Sequence, residues 1–311
     1  MECTIAGRLL YDARKKKHIS QKELCHGFCN QSTITRIENG EIMPSLKQME
    51  FFFTRLGQSV PNNIVPISKI DKKRYDLENK MLSELLDSRD ASRLLLLQEY
   101  KNCHHSWGKL EEQFYMMQQA VYVSQFDDKL QESIDILEKA LQITNPEFSV
   151  NKNIPTTLFS IHEIIILNSI AHSEYCLYDL EKKDDNLKVR AIEIMRFLKE
   201  YFEEHFDNFK SWNMYSVIVF NLTNWIGLAG DVKGAMELAK LGLEGEKSSL
   251  FFFSSHLYNL GYSSAIVGEK VKSLKLLTQA LNLKSLFDLH DDVKRDMQEI
   301  KDIFNIDISI N

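Results

Sequence analysis

An all-α fold is predicted by three observations. The chain has only 12 Gly and 5 Pro in 311 residues, too few for a sandwich or barrel with a turn every few residues. Apolar residues recur at three- and four-residue intervals along most of the length, and no stretch alternates convincingly with period two. Two segments of the C-terminal half repeat one another at the spacing of a helix pair. The length suffices for two domains and a sizeable core, and 44% hydrophobic with 26% charged residues is ordinary for a globular chain.

Taken in order, residues 4–17 (TIAGRLLYDARKKK) form an amphipathic helix with Ile5, Leu9 and Ala13 along one stripe. Ser20 caps a second helix, and Glu23 three residues on completes a capping box. Leu24 and Phe28 share a face. Asn30 caps a third helix whose apolar positions, Ile34 and Ile37, turn inward. That leaves Gln31, Ser32, Thr33, Thr35 and Arg36 outward, the short donors and acceptors and the guanidinium that reach base edges and phosphates. Asn39-Gly40 stops this helix, because both residues tolerate a left-handed C-cap. Two short helices joined by a tight turn, the second with such a face, read as a helix-turn-helix built to enter a DNA groove.

Pro44-Ser45 opens another helix over residues 46–56, with Leu46, Met49, Phe52 and Phe53 inward and Gly57 at its end. The prolines and asparagines that follow mark a linker. The predicted organisation is a five-helix helix-turn-helix domain over 1–58, a linker over 59–69 and a helical repeat domain over 70–311.

Charge divides along the same line. Residues 1–58 carry nine Lys/Arg against six Asp/Glu, a balance of +3, and the remaining 29 basic and 38 acidic residues leave −9. Phosphate binding needs a basic face, and only the N-terminal segment offers one. The acidic remainder does another job.

From Ile70 onward the chain reads as helix after helix with short breaks. Residues 221–243 align with the segment beginning at Asn259 at an offset of 38: Asn221 with Asn259, Leu222 with Leu260, Ala235 with Ser273, Gly242 with Ala280. A looser copy over 115–143 places Ser133 and Ala140 at the two small positions. Small residues seven apart let a neighbouring helix approach closely, which is the pattern of tetratricopeptide-like pairs. Such pairs stack into an α-solenoid with a concave inner surface.

The N-terminal segment resembles the Xre/lambda-repressor family of helix-turn-helix domains. The matching residues are Gly7, Leu10, Arg14, Ser20-Gln21, Glu23-Leu24, Ser32, Ile34, Arg36-Ile37-Glu38, Gly40 and Pro44-Ser45. The resemblance implies that Arg14 and Glu38 pair inside the domain, which makes Glu38 a structural acid. Cys25 stands where that family usually has Ala, consistent with a core position. Joined to tetratricopeptide-like repeats of this length, the chain resembles the Rgg/PlcR/PrgX (RRNPP) group of peptide-pheromone-responsive regulators. Over 70–311 the likeness is architectural rather than carried by motifs. It implies a homodimer held by the C-terminal domain and a short re-imported signalling peptide bound in the concave groove.

For DNA, Gln31, Ser32, Thr33 and Arg36 are the candidates at base edges, since an amide can pair with adenine and a guanidinium with guanine. Gln21, Thr35, Ser45 and Lys47 stand at or near helix starts, where a phosphate is favoured. Helix capping is the competing reading for Ser45 and Thr35. For a peptide, Asn168, Asn221 and Asn259 offer a donor and an acceptor each to an extended backbone. Asn224, Tyr175, Tyr215 and Tyr262 would add pockets or packing. Bonds between neighbouring helices, and core filling by the aromatic rings, are the competing readings there.

Cys25 and Cys29 with His26 between them invite a metal, but no second ligand cluster accompanies them and small core residues are the better reading. No cofactor is expected. No phosphate loop, nucleophile elbow or HExxH motif appears, so an enzyme is not expected. The apolar run at residues 161–171 contains His162, Glu163 and Asn168, too short and too polar to span a membrane. A cytoplasmic, dimeric regulator that reads a pseudo-palindromic operator on double-stranded DNA under the control of a short signalling peptide, as in quorum sensing, is the expected function. The alternative is an Xre-type regulator whose helical domain only dimerises or binds a protein.

Overall fold

The structure is a computed structural model and describes residues 2–61, 69–83, 92–103, 107–126, 129–149, 152, 154–181, 184–244, 250–286 and 290–308. Among the described residues there are fifteen α-helices and no strand. The first ten are α1 (Glu2–Lys16), α2 (Gln21–Cys25), α3 (Gln31–Glu38), α4 (Leu46–Arg55), α5 (Lys69–Ser83), α6 (Ser92–Asn102), α7 (Lys109–Phe126), α8 (Leu130–Gln142), α9 (Ile161–Glu181) and α10 (Asp185–His205). The last five are α11 (Asn213–Leu228), α12 (Val232–Leu243), α13 (Leu250–Ile266), α14 (Lys270–Ser285) and α15 (His290–Phe304). Two compact units divide the chain. One comprises Met1–Ile194 with His205–Asp207, the other Met195–Glu204 with Asn208–Asn311. Most of the predicted linker, residues 62–68, lies outside the described residues.

Residues 2–58 hold four helices rather than five. The stretch from Asn39 to Ser45 stays a loop, because Gly40 takes a left-handed φ of 73° and Pro44 cannot extend a helix that precedes it. The Ser20/Glu23 capping box is present in both directions, and a second box joins Ser45 and Gln48. Asn30 is the N-cap of α3, with no side-chain bond to the helix. The buried stripe of α1 is turned from the expected one: Ile5 is 50% exposed, while Ala6, Leu10 and Arg14 are buried. The third place in that stripe is a guanidinium, which apolar periodicity does not reveal. Leu24, Cys25, Ile34, Ile37, Met49, Phe52 and Phe53 form the core of the head. Leu110 of α7 belongs to the same apolar cluster, so this core extends into the first repeat helices.

The helix pairs carry the predicted small positions at their contacts. Ser133 and Ala140 on α8 are buried, and Ser133 Oγ donates to the Ala120 carbonyl of α7 at 2.9 Å. In the second unit Ala235, Ser273 and Ala280 are buried. A Cβ at Gly242 would stand 2.4 Å from the His256 ring, so α12 and α13 approach to a distance that only glycine permits there. The C-terminal pair is closed by α15, where Val293 and Ile300 pack with Leu277 and Leu281.

Candidate DNA-reading face and repeat-domain amides

Gln31, Ser32 and Arg36 of α3 are exposed, and Thr33 and Thr35 are half-buried. The face is held from beneath by a chain of polar contacts. Arg14 grips Glu38 with two bonds of 2.7 Å, Nε to Oε1 and Nη2 to Oε2. Both side chains are buried, and the hydrogen bond to Glu38 pushes the Arg14 guanidinium above its ordinary value. Glu38 Oε2 also accepts from Gln21 Nε2 at 2.8 Å. Gln21 Oε1 in turn accepts from Gln31 Nε2 at 3.3 Å and Thr35 Oγ1 at 3.1 Å. A buried ion pair thus orients one amide, and that amide orients a second at the tip of α3. Arg36 is 58% exposed and lies 3.5 Å from Glu41, an exposed pair worth at most about 1 kcal/mol and readily exchanged for another acceptor.

Ser45 is exposed and its hydroxyl accepts from the Gln48 amide. Lys47 departs from the expectation of a phosphate contact. Its ammonium is turned inward, bonded to Glu78 of α5 and to the Tyr100 hydroxyl of α6, and it lies 4.7 Å from the Phe114 ring centre. The Lys47 side of the first turn of α4 faces α5 and α6, whereas Ser45 remains exposed. Burial, with the Glu78 charge second, pushes neighbouring Glu50 up to about 7. Lys17 likewise bonds the His205 carbonyl and Asp207. The surplus of +3 therefore overstates the free charge of the head, since Arg14, Lys17, Lys47 and Arg55 all have partners within the chain.

Cys25 is buried in the head's core, and burial pushes the Cys29 thiol up to about 11. No group of three or more metal-ligating side chains stands together among the described residues.

In the first unit Asn168 and Tyr175 are half-buried on α9, and Asn168 Oδ1 is a buried atom with no partner. In the second unit Asn221 and Asn224 are half-buried on α11, and Asn259 on α13 has its Nδ2 buried without a partner. Two tyrosines are placed in packing positions instead. Tyr215 is buried and donates its hydroxyl to Glu203 at 2.7 Å, with burial raising its pKa, because its place in the first turn of α11 faces α10. Tyr262 stacks on Tyr258 and meets Phe304 edge-on, two rings that belong to the cluster that seats α15. Trp225 is buried.

Sequence reasoning missed Arg55 and Glu163, whose side chains form an ion pair buried to 1% and 0% exposure. One signal was present. Glu163 is the lone carboxylate of the apolar run at 161–171, and a charge in such a run calls for a buried partner.

Residues 10–58 match the helix-turn-helix family model. No curated protein sequence matches the chain. Among solved structures, Bacillus thuringiensis PlcR in complex with the peptide PapR7 and DNA is 16% identical, with 94% of this chain and 99% of that chain covered and a TM-score of 0.55. The apo competence regulator ComR of Streptococcus vestibularis is 14% identical over 96% and 98% of the two chains, with a TM-score of 0.46. The pheromone receptor Rgg2 of Streptococcus dysgalactiae is 16% identical over 96% and 99%, with a TM-score of 0.44. Among the described residues no helix is long and apolar enough to cross a membrane. Residues 10–58 are thus a helix-turn-helix domain, and the fold of the chain is similar to that of PlcR.

Proposed function

We propose that the chain is a sequence-specific, DNA-binding transcription regulator that acts as a homodimer under the control of a short signalling peptide. The observation that carries the DNA half is the α3 face, where Gln31, Ser32 and Arg36 are exposed and a polar network from beneath orients Gln31. Gln31 keeps Oε1 and one amide hydrogen free, an acceptor and a donor side by side, which suits the N6 and N7 edge of adenine. Arg36 suits guanine or a phosphate, Ser32 and Thr33 are the remaining base-edge candidates, and Thr35, Gln21 and Ser45 are the phosphate candidates. A two-fold homodimer reads inverted half-sites, so the operator is pseudo-palindromic, and two heads on one face of the duplex require recognition helices about 34 Å apart.

The peptide half rests, within the second unit, on the unpartnered Nδ2 of Asn259 and the half-buried Asn221 and Asn224, and within the first unit on the unpartnered Oδ1 of Asn168, each unit taken by itself. Buried amide atoms without partners are uncommon in folded chains, and an extended peptide backbone supplies the missing groups. PlcR was captured with both a peptide and DNA, which is the behaviour expected of this chain. A peptide favours one dimer arrangement only through its differential affinity for the two.

Selection from a random DNA pool tests the first half. The full chain should enrich a pseudo-palindrome, and Arg36→Ala should abolish specific binding while leaving the fold intact. Unchanged affinity of that variant for the selected site would refute the assignment of the head. Calorimetry with synthetic short peptides encoded beside the gene tests the second half, and absence of heat with all of them would favour a helical domain that only dimerises.

A further inference from the structure

The inner side of the head contains a denser polar network than its DNA-reading face. Arg55, the last residue of α4, directs its guanidinium at four acceptor groups. Nη1 donates to the carbonyls of Leu24 at 3.2 Å and His26 at 2.7 Å. Nη2 donates to the Thr144 carbonyl at 3.4 Å and to Glu163 Oε1 at 2.8 Å, and Nε donates to Glu163 Oε2 at 3.3 Å. The guanidinium lies 4.1 Å from the centre of the Phe51 ring. This rigid fork fits its acceptors in a way that a lysine ammonium does not.

Two of those acceptors lie at the end of α2 (Leu24) and in the turn that joins α2 to α3 (His26). The last carbonyls of a helix have no partner within it, and here Arg55 supplies one from α4. The next carbonyl, that of Gly27, accepts from Lys109 Nζ of α7 at 2.9 Å. Gly27 has a φ of 71°, and a Cβ on it would sit 1.9 Å from the Thr144 oxygen, so backbone lies on backbone at this point.

Glu163 is fixed in its turn. It accepts from the Ser160 amide at 2.6 Å and from Thr144 Oγ1 at 2.7 Å, and Thr144 Oγ1 accepts from Gln113 Nε2 at 2.6 Å. Residues of α7, the end of α8 and α9 therefore converge on the turn that sets the attitude of the α3 helix. All of them belong to one compact unit.

We propose that Glu163, on a repeat helix, is a positioning residue for DNA reading: through Arg55 it holds the α2–α3 turn, and with it the recognition helix, in register with α9. This assignment rests on the DNA-reading function proposed above. It implies that the head moves with α7–α9 as one body and does not swing on a tether. It also gives the open amide of Asn168 a short route to the head, because Asn168 lies on the same helix five residues on, about 7.5 Å along its axis.

The test uses the full chain and the DNA site that the wild type selects. The double variant Arg55→Met with Glu163→Met leaves no buried charge unpaired, so the fold is expected to stand, while the Leu24 and His26 carbonyls lose their donor. Specific affinity should fall at least tenfold with non-specific affinity within twofold of wild type, and the amides of residues 26–31 should exchange hydrogen at least tenfold faster. Glu163→Gln, which keeps the shape and loses the charge, should shift both readouts in the same direction by a smaller factor. Retention of the specific-to-non-specific ratio by a folded double variant would overturn the assignment. Should that variant fail to fold, an unchanged ratio and unchanged exchange in Glu163→Gln would overturn it equally. A wild type that enriches no DNA sequence would instead overturn the DNA-reading function, and this assignment with it.

Discussion

The amides on α3 and those on the repeat helices are prepared in opposite ways. On the head, Gln31 and Gln21 are tied to each other and to Glu38, which is clamped by Arg14. On the repeats, Asn168 Oδ1 in one unit and Asn259 Nδ2 in the other are buried with no partner. The difference matches the two ligands proposed. A DNA duplex is stiff and presents base edges at fixed places, so a reader gains by holding its amides in position beforehand. An extended peptide brings its own row of donors and acceptors, and the amides that will meet it must be left open. A buried polar atom without a partner costs about 1–3 kcal/mol, a cost that a ligand or an ordered water removes.

The largest expected effect comes from breaking the tied side. Glu38→Ala strands the buried Arg14 guanidinium, and losing one partner of a buried ion pair costs about 3–5 kcal/mol. Denaturant unfolding should register that loss, and specific DNA binding should fall even where the chain remains folded. A change below about 1 kcal/mol would mean that the pair does not hold the reading face.

The next effect tests whether the open side is as unpartnered as it stands. His256 on α13 is fully buried with neither ring nitrogen bonded, and burial lowers its pKa from 6.5 to about 4. The unfolded chain binds the proton below 6.5 and the folded one only near 4. Stability from this group is therefore present above 6.5 and is lost as pH falls toward 4. Relative to His256→Phe, the wild type should lose about 2 kcal/mol between pH 7 and pH 5. The first unit offers opposed contributions. His162, lowered to about 3 by burial, also favours neutral pH. Glu50, raised to about 7, adds stability below 4.5 that is lost as pH rises through 7. Equal pH slopes in wild type and His256→Phe would mean that the ring has a partner in solution.

A smaller effect belongs to the reading edge itself. Gln31→Ala removes one amide from solvent and should weaken binding to the selected DNA site by about 1–3 kcal/mol, with little change in non-specific binding. The discriminating measurement is affinity for the selected site against variants at each base pair. Uniform weakening across all of them would move Gln31 from reading a base to touching a phosphate.

What the sequence revealed and what it hid follow one physical division. The capping box at Ser20 and Glu23, the inward Ile34 and Ile37, and the small residues at 133, 140, 235, 242, 273 and 280 are matters of local spacing. Helical period sets each of them within a turn or two. The charged residues that turned inward were not legible in this way. Lys47 meets a carboxylate 31 residues away, and Arg55 meets one 108 residues away. A cation on a helix reads as solvated until its partner is known. Arg14 escapes the apolar pattern too, but there the family resemblance implies the buried pair with Glu38 that the structure contains. The exposed polar face of α3 was legible because outward polar residues obey the helix period, whereas the turn beneath it depends on partners far along the chain.

The smallest predicted change in stability is also the one that tests the open side most directly. Asn221→Ala with Asn259→Ala removes two side chains from one repeat position, and one of them carries a buried atom without a partner. Deleting a group that makes no bond within the fold costs little, so thermal stability should shift by no more than about 0.5 kcal/mol. Removing the orphaned amide of Asn259 offsets part of the packing lost. The same variant should bind its DNA site normally without peptide and lose most of its response to one. A large fall in stability would place these asparagines among the bonds between helices. A full peptide response with stability unchanged would leave them without a role in recognition. Only the pairing of small structural cost with large functional loss fits side chains held open for a ligand.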